Sequence, residues 1–121
     1  MIEIIESFPS NVVGAIAKGR ITRNDYDEVL IPRIKQTLQR HEKIRCYYEL
    51  GPEFSGMDAG AVWEDMILGF EYLLRWERVA AVTDINWIAH ALNAFRFLMP
   101  GRMKVFPTSE TAQARAWIIA E

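Results

Sequence analysis

The chain has a single cysteine, two histidines and no basic surplus, and each shortage excludes a class of function. Cys46 has no partner for an internal disulfide and sits in an apolar run, so a buried, inert thiol in a reducing compartment is expected. His41 and His90 fall on different predicted helices without a carboxylate or thiol at ligand spacing, so no metal centre is expected. Lys plus Arg is 14 and Asp plus Glu is 16, for a net charge of −2 with both signs scattered, which argues against nucleic acid as a partner. No apolar run approaches the roughly 18 residues that span a bilayer. The start Met1-Ile2-Glu3-Ile4-Ile5-Glu6 carries acids where a secretory signal needs bases, so a soluble, cytoplasmic protein is expected. Internal repeats, linkers and low-complexity tracts are also lacking. At 121 residues one domain, 1–121, is expected, long enough to bury roughly two thirds of its unfolded surface.

What is present reads as alternating strands and helices. Ile2 and Ile4 flank Glu3, and after Pro9-Ser10-Asn11 the run Val12 to Ala17 resumes, which predicts a hairpin. Thr22, with Asp25 three residues on, forms a shortened capping box for a helix reaching about Arg40. Pro32 should kink or split that helix near Leu30 and Ile31. Ile44 to Leu50 is a strand. Ala59 to about Trp76 is a second helix, with Val62, Trp63, Met66, Ile67, Phe70, Leu73 and Leu74 as its inward stripe. Arg78 to Thr83 has the continuous apolar character of an interior strand. Asp84 can cap a third helix, Ile85 to about Met99, which Pro100-Gly101 ends. Met103 to Phe106 is a fifth strand, and Thr108-Ser109-Glu110 opens a last helix with Ala112, Ala116, Trp117 and Ile118 as inward positions. The order ββαβαβαβα predicts an α/β fold: a mixed sheet of about five strands, an N-terminal hairpin followed by βαβαβα with mostly parallel strands, and four helices.

The second and third helices carry more apolar residues than one stripe needs. At about 100° per residue, Leu68 falls among Glu64, Glu71 and Arg75, Phe97 projects from the polar arc of the third helix, and its exit to Met99 is apolar. Each such residue left exposed forgoes roughly 1.5–3 kcal/mol of burial. Isolated surface residues or a dimer contact account for them on one reading. On another, the third helix and its exit hinge over an apolar cleft or dip into a membrane surface. Phe54, Met57, Trp63 and Trp87 then line or gate the cleft, although tryptophans on inward faces are more often core.

The stretch Cys46 to Trp63 reads as strand, loop and helix start, the place where open α/β sheets put their sites. Its loop offers Glu53, Ser55 and Asp58 with no base nearby in sequence. Ser55 lacks a nucleophile elbow and a histidine partner, and adjacent Glu64 and Asp65 cannot point the same way on a helix, so they read as solvated charges. Gly56 and Gly60 bracket a helix start whose amides could hold an anion, although two glycines at such spacing often occur by chance.

Several pieces of the chain, in order, carry a resemblance. They are Ile31-Pro32, Leu50-Gly51-Pro52-Glu53-Phe54, Ala61-Val62-Trp63-Glu64-Asp65, Glu77 to Val82 with Asp84 and Trp87, and Val105-Phe106-Pro107. Together they resemble the SpoIIAA-like family of bacterial proteins, related in fold to STAS domains and more distantly to the lipid-carrying Sec14 or CRAL-TRIO domains. STAS domains are generally partner-binding regulators, and the anti-anti-sigma members are switched by phosphorylation of a serine at the start of the second helix, in an Asp-Ser-Ser-Gly type motif. The matching stretch here is Met57-Asp58-Ala59-Gly60, in which Ala59 has no hydroxyl. The resemblance therefore implies a non-catalytic domain with an apolar cavity, a carrier of a lipid-like molecule with loose membrane contact.

The expected function is accordingly a non-catalytic binding domain that takes no cofactor and holds an apolar or lipid-like small molecule. Phe54, Met57, Trp63, Ile67, Trp87, Leu92 and Phe95 are the expected ligand-binding residues, converging near the carboxyl ends of the strands. The alternative is a STAS-type protein–protein regulatory module without the phosphorylatable serine, docking through the Glu53 to Gly60 loop. A homodimer is a further candidate for covering the apolar excess.

Overall fold

A computed structural model describes residues 1–121. Strands β1 (Ile2–Ile5), β2 (Val12–Ala17), β4 (Ile44–Glu49), β6 (Trp76–Val82) and β7 (Arg102–Phe106) form one sheet in the order β1-β2-β4-β6-β7. β1 pairs antiparallel with β2, from Ile2 opposite Ala17 to Ile5 opposite Gly14, and the other pairings are parallel. The predicted hairpin and parallel strands are therefore both present. Phe8, in the turn between β1 and β2, lies against Gly14 where any Cβ would collide with its ring.

Two short strands had no signal of their own. β3 (Gly19–Ile21) and β5 (Phe54–Met57) pair parallel in a separate two-stranded sheet, so the loop after β4 is partly strand. Gly19 at φ 65° and Gly56 at φ 147° hold backbone conformations that disfavour a side chain.

Thr22 caps the first helical rod as the sequence predicts. The Asp25 amide donates to Thr22 Oγ1 at 3.4 Å, and the Thr22 amide donates to Asp25 Oδ2 at 2.8 Å. The rod starts as α1 (Arg23–Asp25), widens into a π turn over Tyr26–Leu30 and continues as α2 (Ile31–Arg40). The Ile31 amide bonds to the Tyr26 carbonyl, five residues back, immediately before Pro32. Proline supplies no N–H there, and the rod adjusts by widening rather than breaking. Tyr26 and Leu30, one at each end of the wide turn, are both fully buried.

The two sheet faces are covered unequally. Alternation along β4 sends Ile44, Cys46 and Tyr48 to one face, shared with the first rod, α3 (Ala59–Glu71) and α4 (Asn86–Arg96). Tyr47 faces the other side, where α5 (Thr111–Ile119), after a 3₁₀ turn at Thr108–Glu110, packs Ala114 and Ile118 against Ala80 and Val82. Ala112 and Ala116, expected inward, are exposed; the inward pair is Ala114 and Ile118. The Arg45 and Arg78 guanidiniums close the end of α5, donating to the carbonyls of Trp117, Ile118 and Ala120 at 2.7–2.9 Å.

Two predicted end signals act differently in the structure. Asp84 does not cap α4; its carboxylate accepts from the amide (3.0 Å) and hydroxyl of Thr108 and ties the end of β6 to the end of β7. Those bonds hold its carboxyl below the ordinary aspartate range. At Gly101 a Cβ would meet the Trp76 carbonyl and come within 2.7 Å of that of Glu77, so close approach to β6 is what requires glycine.

Candidate functional site

The largest departure from the expected pattern is the rotation of α3. Its large apolar stripe was expected to face the sheet, yet Trp63, Met66, Ile67 and Phe70 are exposed, as is Leu74 in the turn after the helix, and within the helix only Ala61 and Leu68 are buried. Leu68, expected on the polar side, is 6 % exposed. The rotation has a local cause. The face carrying Ala61, Asp65, Leu68 and Gly69 has the small residues that permit close approach, and its one charged group finds a partner inside.

That partner is Tyr26. Its hydroxyl donates to Asp65 Oδ1 at 2.8 Å, and the Tyr48 hydroxyl lies 3.0 Å from that of Tyr26. With the Tyr26 proton committed to the carboxylate, Tyr48 is the donor between the two hydroxyls. Burial raises the Asp65 carboxyl above the ordinary range against the opposing pull of the Tyr26 bond. It also raises the Tyr26 hydroxyl well above its usual value, and the Asp65 charge adds to that rise. Asp65 is thus no solvated charge, as its sequence position beside Glu64 suggested.

Between this face of α3, α4 and the sheet lies a cavity of about 200 Å³. Twenty residues line it, eighteen of them hydrophobic, and Asp65 is the one charged member. Cys46, Tyr48 and Ala81 rise from the sheet as part of its floor. Burial, with the Asp65 charge second, pushes the Cys46 thiol up to about 12, so it stays neutral. Phe70 and Phe95 meet edge to face, 5.5 Å between centroids at 85°, and bridge α3 to α4. Gly69 admits the Phe95 ring, which a Cβ would meet at 3.3 Å. The Trp76 indole donates to the Gly69 carbonyl at 3.3 Å and anchors the end of α3 to β6.

Of the seven side chains expected to converge, Met57, Leu92 and Phe95 line this cavity. Phe54 packs at the edge of the main core instead. Trp63 and Ile67 lie outside, in a shallow apolar depression that they share with Met66 and Phe70, and Trp87 is 57 % exposed. Met66 and Phe70 border both the cavity and the depression, which places the two side by side. Phe97 is 85 % exposed, as its position on the polar arc suggested, whereas Met99 is buried. Sequence reading missed Tyr26, Tyr48 and Asp65 as one group. An acid at the centre of a helix otherwise rich in apolar residues was the available signal.

Ala59 is the first residue of α3, and Ser55 is exposed upstream on β5, so the helix start has no hydroxyl of its own to phosphorylate.

The five-stranded mixed sheet with four helical rods matches a SpoIIAA-like fold. The family model described as SpoIIAA-like matches residues 12–119, and the chain belongs to that family. A solved structure of an uncharacterized protein of the DUF3478 family from Shewanella loihica, described as having a SpoIIAA-like fold, superposes with a TM-score of 0.75. At 23 % identity the superposition covers 98 % of this chain and 92 % of that one, and it establishes shared fold. No curated protein matches the sequence.

Proposed function

We propose that this domain is a non-catalytic carrier that holds an apolar or lipid-like small molecule between the sheet and helices α3 and α4. The cavity of about 200 Å³ with eighteen hydrophobic linings out of twenty is the observation that carries the reading. A packed core leaves few voids larger than a water molecule, so an apolar space of this size beneath an incompletely buried helix is suited to a guest. The groups around Asp65 are tyrosine hydroxyls and a Cys46 thiol that stays neutral, a set that suits binding rather than catalysis.

The same reading includes peripheral contact with a lipid surface by a cytoplasmic protein. Trp63 and Ile67 stand exposed on α3 beside Met66 and Phe70, which also border the cavity, so a ligand leaving it would move along an apolar path onto a membrane. Native mass spectrometry of gently purified protein tests the carrier reading directly. A retained apolar molecule in the hundreds-of-daltons range is expected; the bare chain mass in repeated preparations, with no uptake from added lipid extract, rejects it. A stable mass of two chains would instead assign the exposed face to a second copy.

A further inference from the structure

The cavity is apolar except at one corner, and that corner has a definite hydrogen-bonding polarity. The Tyr48 hydroxyl donates to Tyr26, and the Tyr26 hydroxyl donates to Asp65 Oδ1, so both phenolic protons run towards the carboxylate and away from the space. Asp65 Oδ2 has no hydrogen-bond partner within the chain, although the residue lines the cavity. The Cys46 thiol is neutral and at most a weak donor. No Lys, Arg or His is among the lining residues. What the corner offers a guest is therefore lone pairs, on Asp65 and Tyr48, and an acidic group with no basic side chain beside it.

From this polarity we infer that the guest is an amphiphile whose head group donates hydrogen bonds and bears no negative charge, such as a long-chain amine or alcohol, with its head at Asp65 and its chain among Leu92, Phe95 and Met103. The inference rests on the carrier reading and adds to it the chemistry of the head. Asp65 has one donor within the chain, Tyr26, and a carboxylate among apolar walls gains from a second donor that arrives with the ligand, where a carboxylate head would add repulsion. Burial already disfavours the ionised form of Asp65, and an ammonium head supplies the counter-charge that restores it.

The test is displacement of the neutral fluorescent probe N-phenylnaphthylamine from the full chain at neutral pH by three guests of equal chain length: octylamine, octanol and octanoate. Octylamine should displace the probe at least about tenfold more tightly than octanoate, with octanol between them, because one charge-assisted hydrogen bond is worth about that ratio. In Asp65→Asn the ratio should fall to within about twofold while probe affinity is retained. Equal or tighter displacement by octanoate in the wild type overturns the inference, and so does an amine preference that survives in Asp65→Asn. Either result leaves the carrier reading standing as long as the probe binds. Failure of the wild-type chain to bind the probe at all removes the pocket reading together with the head-group inference. The wild-type series decides by itself if the variant does not fold.

Discussion

The Tyr26 hydroxyl lies 2.8 Å from Asp65 Oδ1, and this bond joins the widened turn before Pro32 to the helix that covers the cavity. In Tyr26→Phe the Asp65 carboxylate loses the one donor it has within the chain. The unfolding free energy in urea should fall by about 1–3 kcal/mol, with little change in slope. Unchanged stability would mean that the bond does not hold α3 in place.

The pH dependence of Asp65 runs opposite to that of most carboxylates. Its folded-state carboxyl lies above the ordinary range through burial, so ionisation works against folding. That penalty is fully present above the folded-state value, shrinks as pH falls through it, and vanishes below the unfolded value of roughly 4. Asp65→Asn, which keeps an acceptor for Tyr26, should therefore be more stable than wild type at neutral pH. The gap should close as the pH approaches the unfolded value, as measured by urea midpoints over a pH series. A constant gap, or one that widens in acid, contradicts the assignment.

Trp63 and Phe97 are 59 % and 85 % exposed, so Trp63→Asp and Phe97→Asp should shift folding stability by no more than about 0.5 kcal/mol. Inserting such a ring into a lipid interface is worth roughly 1.5–3 kcal/mol, which predicts at least about tenfold weaker co-sedimentation with liposomes for each variant. Equal sedimentation of wild type and both variants removes the membrane contact.

Cys46, its thiol pushed up to about 12, should hold only about one thiolate in ten thousand at pH 8. A thiol reagent such as dithionitrobenzoate should label it slowly in the native chain and rapidly after unfolding. Rapid native labelling would show that the cavity floor opens to water.

Local signals carried most of the fold. Thr22 with Asp25 predicted the cap, Pro32 the irregular turn, Val79 to Val82 an interior strand and Ile2 to Ala17 a hairpin, because each depends on neighbours a few residues away. β3 and β5 escaped notice since three- and four-residue strands pair across the chain and carry no periodicity of their own. Asp84 read as a cap, while Thr108, twenty-four residues on, is its partner.

The residues themselves determined that the middle of the chain has too many large apolar side chains for one buried stripe, because hydrophobic count and spacing are properties of the sequence. Which of them remain outside was decided by tertiary structure. α3 is apolar nearly all round, so its periodicity sets no unique rotation. The rotation follows from Ala61 and Gly69 permitting close approach, and from Asp65 reaching a hydroxyl thirty-nine residues earlier. A half-buried carboxyl needs a donor more than a tryptophan needs cover, and only folding brings Tyr26 within reach.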